Sequence, residues 1–336
     1  MRTIDFLEQG DGAITLIDQR LLPHERKILT IKTHEELIDA IQTLAVRGAP
    51  ALGVAGALGV ALIAFRSEQE SWSQERRAGA IAALRAARPS AVYLAWGVDQ
   101  VTPELVNGPS AVLKSALDIS RADGLANRAM GKLGAAFLLD KCGKRKLRIL
   151  THCNTGSLAT SDWGTALGVI RELSQQGYIE EVFADETRPL LQGSRLTAWE
   201  LSEAGINYRI LPDGAAASAL FSGLIDAVLI GADRIARNGD SANKIGSLGV
   251  AVAAKESGIP FLVVAPESTI DRSLASGAEI EIEFRADSEV THFAGKAVAP
   301  LGAKSYNPAF DVTLARYITA IVTEKCVYNL ESGDKL

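Results

Sequence analysis

Five short apolar runs, alternating with helical stretches from Leu147 onward, constrain the fold of this chain more than any other feature. Strands that alternate with helices at this interval predict a parallel sheet with right-handed crossovers. In chain order the runs are LRILTH, EEVFAD, INYRILPD, DAVLIGAD and IPFLVVAP, separated by TALGVIRELSQQG, SRLTAWELSEAG, AAASALFSG and LGVAVAAKESG. We expect an extended segment, EIEIEFR, and a final helix, TLARYITAIVTEK, to complete this part of the chain.

The first part of the chain has a different pattern. AITLID alternates apolar and polar residues, as half-buried strands do, whereas HEELIDAIQTL, ERRAGAIAALRAAR and PSAVLKSALDISRADG have apolar residues at helical spacing. The predicted fold class is therefore α/β. A small N-terminal domain of a short sheet plus helices occupies residues 1–145, and a parallel-sheet domain occupies residues 146–336. The boundary is placed at the basic turn GKRK.

Composition argues against several classes of protein. A formal net charge of -5 does not suit a nucleic-acid partner, which requires a basic surface. Residues 49–65 fall just short of the roughly 18 apolar residues of a membrane helix, and Gly53, Gly56 and Gly59 indicate a tightly packed core helix instead. The N-terminus lacks the form of a signal peptide. Three cysteines without paired spacing and four scattered histidines predict neither disulfides nor a metal site, and we expect a cytoplasmic protein.

The expected sheet also indicates where chemistry would occur. In an open parallel sheet the ligand site lies outside the carboxyl ends of the strands. The residues that follow the apolar runs therefore bring a thiol, several carboxylates and two arginines to one edge. They are His152, Cys153, Asn154, Asp185, Glu186, Thr187, Arg188, Asp213, Asp233, Arg234, Pro266 and Glu267.

Cys153 is the candidate nucleophile or base at this edge. In THCNTGS it ends an apolar run and enters a turn before a predicted helix, whose N-terminus would make a thiol more reactive. The alternative is a buried structural cysteine, which is our interpretation of Cys142 and Cys326. His152 is adjacent in sequence and would point to the other face of the strand, so a Cys–His protease pair is not expected.

Asp233 is the second candidate, at the end of the run in LIGADRI. An aspartate there could also simply cap a following helix. The segment continues as NGDSANKIGS, which places Asn243 and Lys244 before another predicted helix. A lysine and amide groups at a helix start suit a phosphate.

Two arginines in the first part of the chain could contribute to the same phosphate site. Arg47 ends a predicted helix in VRGAP, where Gly48 allows close backbone approach, and Arg88 ends another helix before Pro89. Alone, each is typical of a solvated cation at a helix C-terminus. Together with Lys244 they could bracket a phosphate through charge-assisted hydrogen bonds. The sequence has neither a GxGxxG motif after a strand nor a P-loop, so nicotinamide and nucleotide chemistry have no support.

Six segments carry a resemblance to a known family. VRGAPALG, ARPSAVYLAW, THCNTGSLAT, DETRPLLQGSRLTAWEL, GADRIARNGDSANKIGS and YNPAFDVT resemble, in order, the motifs of the methylthioribose-1-phosphate isomerases. That family is grouped with ribose-1,5-bisphosphate isomerases and the regulatory subunits of translation initiation factor 2B. The resemblance extends from LIDQRLLP to NPAFDVT and so covers nearly the whole chain.

The resemblance implies a fold, an activity and a set of site residues. It implies a Rossmann-like C-terminal domain after the N-terminal sheet-and-helix domain, a homodimer, and no metal or organic cofactor. The implied reaction converts 5-methylthioribose 1-phosphate to 5-methylthioribulose 1-phosphate, a step of methionine salvage. The family's catalytic positions fall on Cys153 and Asp233. Its substrate-binding positions fall on Arg47, Gly48, Ala49, Arg88, Gln192, Asn243 and Lys244.

The chemistry of an aldose 1-phosphate gives these residues roles. Phosphate on the anomeric oxygen blocks ordinary ring opening, so an acid must protonate the ring oxygen, and Asp233 is the candidate. A hydrogen must then move from C2 to C1. Cys153 could carry it as a base through an enediolate, or could assist a direct hydride shift with Asp233 as acid and then base. The sequence leaves both routes open.

One motif departs from the family pattern. The family usually reads RPTAVNL, whereas this chain reads RPSAVYL, with Ser90 and Tyr93. The change is either a packing substitution or a sign of a different sugar. Alternative substrates are 5-deoxyribose 1-phosphate and ribose 1,5-bisphosphate. A non-catalytic scaffold like the initiation-factor subunits is the other alternative, although those proteins generally lack the cysteine and aspartate that are both present here.

Overall fold

The structure, a computed structural model, describes residues 2–8, 12–89 and 91–336. Residue contacts divide the chain into two units, Met1–Arg128 with Thr155–Gly164, and Ala129–Asn154 with Thr165–Leu336. The change from one unit to the other falls inside the long helix Pro109–Cys142. The domain boundary expected near residue 145 lies just after this helix and stays a prediction.

The first unit contains a three-stranded antiparallel sheet followed by helices. Its elements are β1 (Ile4–Leu7), β2 (Ala13–Ile17), β3 (Ile28–Ile31), α1 (His34–Gln42), α2 (Ala49–Gln69), α3 (Gln74–Arg85), α4 (Val92–Val101) and the start of α5 (Pro109–Cys142). Helix α1 begins with a capping box, in which Thr33 Oγ1 accepts the Glu36 N–H and the Glu36 carboxylate accepts the Thr33 N–H.

Helix α2 forms the core of this unit, as its small residues predicted. It packs along α4 so closely that a methyl group on Gly56 would lie 2.6 Å from the carbonyl oxygen of Leu94. By length and composition alone α2 would also suit a membrane span, but 78% of its most apolar window is buried within the fold. This is the property of a core helix.

The second unit contains the larger sheet. Its elements are β4 (Leu147–Thr151), α6 (Ala166–Gln175), β5 (Ile179–Asp185), α7 (Ala198–Glu203), β6 (Tyr208–Leu211), α8 (Ala216–Phe221), β7 (Ala227–Ile230), β8 (Arg234–Ala236), β9 (Ser241–Lys244), α9 (Ser247–Glu256), β10 (Phe261–Val264), β11 (Ile270–Asp271), α10 (Ser288–Thr291), β12 (His292–Phe293), β13 (Lys296–Ala297), β14 (Phe310–Thr313), β15 (Ala320–Val322) and β16 (Val327–Asn329). The α/β class and the five predicted strands are confirmed.

Strand order fixes where a ligand can enter this sheet. The order is β16-β15-β10-β7-β4-β5-β6, and every pair is parallel except β15 with β16. The chain starts at β4, continues outward through β5 and β6, and then returns to the other side of β4 with β7. This is the order of doubly wound folds, whose ligand crevice opens at the switch point, here between β4 and β7.

Both faces of the sheet are covered because its strands are apolar on both sides. Ile149 and Leu229 belong to a buried cluster with α6 and the second half of α5. Leu150 and Val228 belong to a second cluster with α8 and α9 on the opposite face. A smaller sheet, with the order β11-β8-β9-β14, is inserted after β7.

The final helix predicted over TLARYITAIVTEK is wrong. Strand β14 ends at Thr313, a single 3₁₀ turn covers Ala315–Tyr317, and β15 follows as a parallel partner of β10. Thr319 donates its N–H to the Phe261 carbonyl at 2.8 Å, which aligns the two strands. The helical spacing is overridden because β10 requires a neighbour and the β-branched residues of this segment suit a strand. EIEIEFR pairs only through the bridge between Phe284 and Pro308.

Candidate active site

Cys153 lies two residues beyond the end of β4, in a left-handed backbone conformation with φ of 64°. Its N–H donates to Thr187 Oγ1 at 2.9 Å, and Thr197 Oγ1 donates to its carbonyl at 2.6 Å. The predicted helix TALGVIRELSQQG is present as α6, but it begins at Ala166, after a 3₁₀ turn over Ser157–Ala159, and so does not follow the cysteine turn closely. Hydrogen bonds from neighbouring loops, and no adjacent α-helix, therefore hold the turn that carries the thiol.

Backbone strain is concentrated around this cysteine. Thr187 and Leu191, in the loop after β5, also have positive φ angles of 63° and 57°. Non-glycine residues in this conformation persist only where the surroundings enforce it, and they are common at functional sites. The bond between Cys153 and Thr187 joins two of these strained positions.

The residue after the cysteine is held by a buried acid. Asn154 Nδ2 donates to Glu200 Oε1 at 2.9 Å, and Glu200 also pairs with Arg171 at 2.8 Å. Glu200 is buried in α7, so this ion pair is shielded from water. Sequence reasoning missed Glu200 and Thr197, and it named Thr187 only as a strand-end residue, because nothing in their local pattern indicates which loop they contact.

The segment that follows the cysteine turn, Thr155–Gly164, belongs to the first unit. Gln19 Nε2 donates to the Leu158 carbonyl at 2.8 Å, and the half-buried Asp123 accepts the Ser161 N–H at 2.8 Å. Gly48 packs directly on Ala159, leaving no room for a side chain at position 48.

Arg47, Gly48 and Ala49 form the start of α2 in the first unit. Gly48 is the N-cap residue, with φ of 95°, and because it has no side chain it makes no capping hydrogen bond. The first turn of this 21-residue helix carries no acidic residue. Its N–H groups and Arg47 therefore form a suitable environment for an anion. Arg47 was expected to end a helix, but α1 ends at Gln42 and Arg47 instead lies just before the start of α2.

Arg88 and Tyr93 also lie in the first unit. Arg88 is half-buried after the end of α3, and its carbonyl accepts the Ala91 N–H at 2.9 Å. Tyr93 in α4 contacts Trp96 edge to face, with ring centroids 5.8 Å apart. Ser90, the other departure from the family motif, lies outside the described residues.

Asp233 is half-buried between β7 and β8, and its N–H donates to the Ala242 carbonyl at 2.9 Å. A strand follows it, so the alternative of a helix cap is wrong. Asp233 follows β7 and Cys153 follows β4, which places the two predicted catalytic residues on the two strands that flank the switch point.

Asn243 and Lys244 lie on strand β9, just before the predicted helix, and not in the first turn of that helix. Lys244 Nζ donates to the Ala309 carbonyl at 2.8 Å and lies 4.2 Å from the centre of the Phe310 ring. Helix α9 does begin soon afterwards, but Asp311 accepts the N–H groups of Gly246 and Leu248 at 2.8 and 3.1 Å. A carboxylate therefore already occupies this helix start, and the buried Asn243 side chain donates from Nδ2 to Ser247 Oγ at 2.8 Å.

Gln192, the remaining predicted substrate-binding residue, is buried in the loop after β5. It directly precedes a π-helical turn, Gly193–Thr197, that leads into α7. Such turns are frequent at functional sites. Thr197 of the same turn donates its hydroxyl hydrogen to the Cys153 carbonyl. The π-helical turn that follows Gln192 is therefore hydrogen-bonded to the cysteine turn.

The buried pair of His152 and Asp185 underlies this edge of the sheet. His152 Nδ1 lies 2.9 Å from Asp185 Oδ2, and His152 Nε2 lies 2.8 Å from the Ile245 carbonyl oxygen. Burial alone lowers the pKa of His152, but the hydrogen bond and charge of Asp185 outweigh it and the pKa is raised. Burial also raises the pKa of Asp185, more than His152 lowers it. The pair therefore retains the proton between its two side chains.

The two ring nitrogens of His152 are bonded to Asp185 and to the Ile245 carbonyl, so the ring is engaged by partners other than Cys153. His152, Asp185 and Asp213 bring possible metal-ligand atoms within 4.8 Å of one another. However, the two Asp213 oxygens accept the N–H groups of Thr187 and Arg188 at 2.7 and 2.6 Å. Asp213 and both ring nitrogens of His152 therefore already have hydrogen-bond partners, which does not suit a set of metal ligands.

This strand order and the segments at its carboxyl edge match one known family. The chain belongs to the initiation factor 2 subunit family, whose model matches residues 45–329. Among its relatives, a protein from Acetivibrio thermocellus named methylthioribose-1-phosphate isomerase is 46% identical over 331 residues, with 95% of each chain covered. A protein from Moorella thermoacetica named 5-deoxyribose 1-phosphate isomerase is 48% identical over 327 residues, covering 94% of this chain and 92% of that protein.

A longer relative contains this chain as one part. A probable bifunctional methylthioribose-1-phosphate isomerase/methylthioribulose-1-phosphate dehydratase from Nocardia farcinica is 53% identical over 327 residues. The match covers 96% of this chain but only 59% of that protein, so the chain spans little more than half of its length.

Two solved structures share the whole fold. The 5-methylthioribose 1-phosphate isomerase of Pyrococcus horikoshii matches with a TM-score of 0.88 at 40% identity, covering 98% of this chain and 92% of that chain. A structure from A. fulgidus described as translation initiation factor eIF-2B, subunit delta, matches with a TM-score of 0.85 at 39% identity, covering 98% and 96%.

Proposed function

We propose that this protein is an aldose–ketose isomerase that converts 5-methylthioribose 1-phosphate to 5-methylthioribulose 1-phosphate. The observation that carries the proposal is the placement of Cys153 and Asp233 after β4 and β7, on the two sides of the switch point. The names of relatives that match over nearly their full length support the same reaction.

In this proposal Asp233 protonates the ring oxygen of the bound sugar and Cys153 assists hydrogen transfer from C2 to C1. The substrate-binding roles in this proposal are those that the family resemblance assigns, to Arg47, Gly48, Ala49, Arg88, Gln192, Asn243 and Lys244. Transfer through an enediolate and a direct hydride shift both remain compatible with these roles.

The second candidate substrate is 5-deoxyribose 1-phosphate, which differs from the first at C5. It is favoured by the Moorella relative's name and by Tyr93, which stands where the family usually has asparagine. A non-catalytic role like that of an initiation-factor subunit is opposed by the presence of both Cys153 and Asp233. Rates on a panel of the two sugars and ribose 1,5-bisphosphate would order these candidates.

We further propose that the protein is a cytoplasmic homodimer. The resemblance to an isomerase family that forms dimers supports the oligomeric state. Light scattering on the purified protein at several concentrations would give the mass of the particle directly, and a mass of one chain would contradict the proposal.

The decisive experiment compares the three cysteines. Cys153→Ala should fold normally and lose nearly all turnover, whereas Cys142→Ala and Cys326→Ala should retain it. Cys142 is a matched control, because burial raises the pKa of its thiol and makes it unreactive. Asp233→Asn keeps the shape of the side chain but has no acidic proton, so it should bind substrate without converting it. Near-normal kcat in Cys153→Ala or Asp233→Asn would contradict the assigned roles.

A further inference from the structure

His152 joins the two parts of the proposed site that lie on different elements of the second unit. It precedes Cys153 in sequence, and its ring contacts the residue that follows Lys244. The segment Asn243 to Gly246 is thus bonded directly to the strand connection that carries the cysteine. This contact is independent of the roles that the family resemblance assigns.

The hydrogen positions of His152 follow from its partners. A carbonyl oxygen only accepts hydrogen bonds, so Nε2 carries a hydrogen and donates it to Ile245. The other nitrogen, Nδ1, then shares a single proton with Asp185 Oδ2. Asp185 Oδ1 is buried without a hydrogen-bond partner among the described residues, which favours a carboxyl group that keeps this proton over a bare carboxylate. The ring is consequently locked at both nitrogens.

The segment that receives this hydrogen bond is shaped to fit the ring. Gly246 has φ of 107°, and a methyl group there would lie 2.8 Å from His152 Cε1. Only glycine therefore allows the ring to reach the Ile245 carbonyl. On its other side the segment is fixed by β14, where Asp311 lies opposite Asn243 and binds the Gly246 N–H.

Asp185 extends the same support to the cysteine turn. The Asp185 carbonyl oxygen accepts a hydrogen bond from Thr187 Oγ1 at 3.1 Å. Thr187 Oγ1 in turn accepts the Cys153 N–H. One buried residue thus binds the histidine ring with its side chain and, through Thr187, the cysteine with its backbone.

We propose that His152 is a positioning residue that sets the phosphate-binding segment Asn243–Lys244 relative to Cys153 through its hydrogen bond to the Ile245 carbonyl. This inference rests on the proposed function, because it takes Asn243 and Lys244 as phosphate ligands. Because both ring nitrogens of His152 have protein partners, we assign it no contact with the substrate. Its loss should therefore weaken phosphate binding more than it slows the chemical step.

Two substitutions separate the two hydrogen bonds of the ring. His152→Asn keeps an amide near the position of Nδ1 and so keeps Asp185 as a partner, but it is too short to reach Ile245. His152→Gln places its amide nitrogen near the position of Nε2 and keeps the bond to Ile245. We expect His152→Asn to raise KM for the sugar phosphate, and Kd for inorganic phosphate, roughly five- to tenfold. Its kcat should change less than its KM, and His152→Gln should restore both constants towards wild type.

The control is Asp226→Asn, which removes a comparably buried polar contact at the opposite edge of the sheet. It should lower stability without changing KM or Kd, which separates positioning from general destabilisation. Circular dichroism and thermal unfolding verify that each variant is folded.

Wild-type constants in His152→Asn would overturn the inference, as would equal losses in the Asn and Gln variants or a fall in kcat alone. If the wild type binds inorganic phosphate but turns over no aldose 1-phosphate, the proposed function fails while the Kd comparison still decides the role of His152. If the wild type shows neither binding nor turnover, both are overturned.

Discussion

Two buried aspartates at opposite edges of the same sheet have opposite electrostatic surroundings. Asp226 precedes β7 at the amino edge, where it accepts hydrogen bonds from Arg145 and from the backbone and side chain of Arg148. Asp185 ends β5 at the carboxyl edge, and among the described residues its carboxyl group hydrogen-bonds the ring of His152 alone. The amino edge is thus built to hold a charge, and the carboxyl edge to hold a proton.

The pKa values of the two carboxyl groups shift in opposite directions for this reason. Burial raises the pKa of Asp226, but its hydrogen bonds to Arg148 and Arg145 outweigh burial and lower it strongly. Burial raises the pKa of Asp185, and its one histidine partner does not compensate. Carboxyl groups whose pKa is raised are common at functional sites, whereas carboxylates fully paired with arginines are typical of structural ion pairs. The contrast therefore marks the carboxyl edge as the reactive one.

The largest effect should follow from breaking the amino-edge pairing. Asp226→Asn removes two arginine partners from one carboxylate, and we expect it to lower the free energy of unfolding at pH 7 by about 2 kcal/mol. The unfolded carboxyl group has a higher pKa than the folded one, so this contribution exists above about pH 4 and is lost as the pH falls. Urea unfolding from pH 3 to 7 should therefore show a flatter acid limb in the variant.

The control for that measurement is Asp99→Asn, which breaks an ion pair with Arg85 whose side chains are half exposed. Exposed pairs contribute less than about 1 kcal/mol. Equal losses in the Asp99 and Asp226 variants would mean that burial of the amino-edge pair contributes nothing.

Asp185→Asn should have a smaller effect on stability, below about 1 kcal/mol at pH 7, because an amide can donate to Nδ1 in place of the shared proton. In the wild type the folded pair binds its proton more tightly than the unfolded chain does. The stabilisation it provides is present below the ordinary histidine pKa of about 6.5 and is lost as the pH rises. The free energy of unfolding should therefore fall between pH 7 and pH 9 in the wild type and change less in the variant. An equal change with pH in both proteins would refute the shared proton.

The smallest effect tests whether the two edges are independent. From Arg148 to His152 the chain advances four residues, or about 13 Å, so the two aspartates do not share partners. The double variant Asp226→Asn/Asp185→Asn should lose the sum of the single losses to within about 0.5 kcal/mol. A larger departure, measured by the same urea titrations, would mean that β4 transmits strain between its ends.

Parts of the site were predictable because they depend on local pattern. The end of an apolar strand locates Cys153 and the end of the next central strand locates Asp233, and both locations need only the rule for parallel sheets. The helix assigned to TLARYITAIVTEK was wrong because its spacing fits both states, and only the need of β10 for a neighbour selects the strand. Asn243 and Lys244 do precede a helix, as predicted, but their strand was not foreseen because its partner β14 comes from a distant part of the chain.

The sequence by itself determined the α/β class, five strands of the larger sheet and the buried helix α2, and it predicted the edge at which a ligand site is expected. These follow from periodicity and from chain order, which are local properties. Only the tertiary structure decided that His152 faces Asp185 and Ile245, that Thr187 supports Cys153, and that Asp311 occupies the start of α9. Each of these is a contact between residues far apart in sequence, and its energy depends on burial and geometry that the order of residues along the chain does not encode locally.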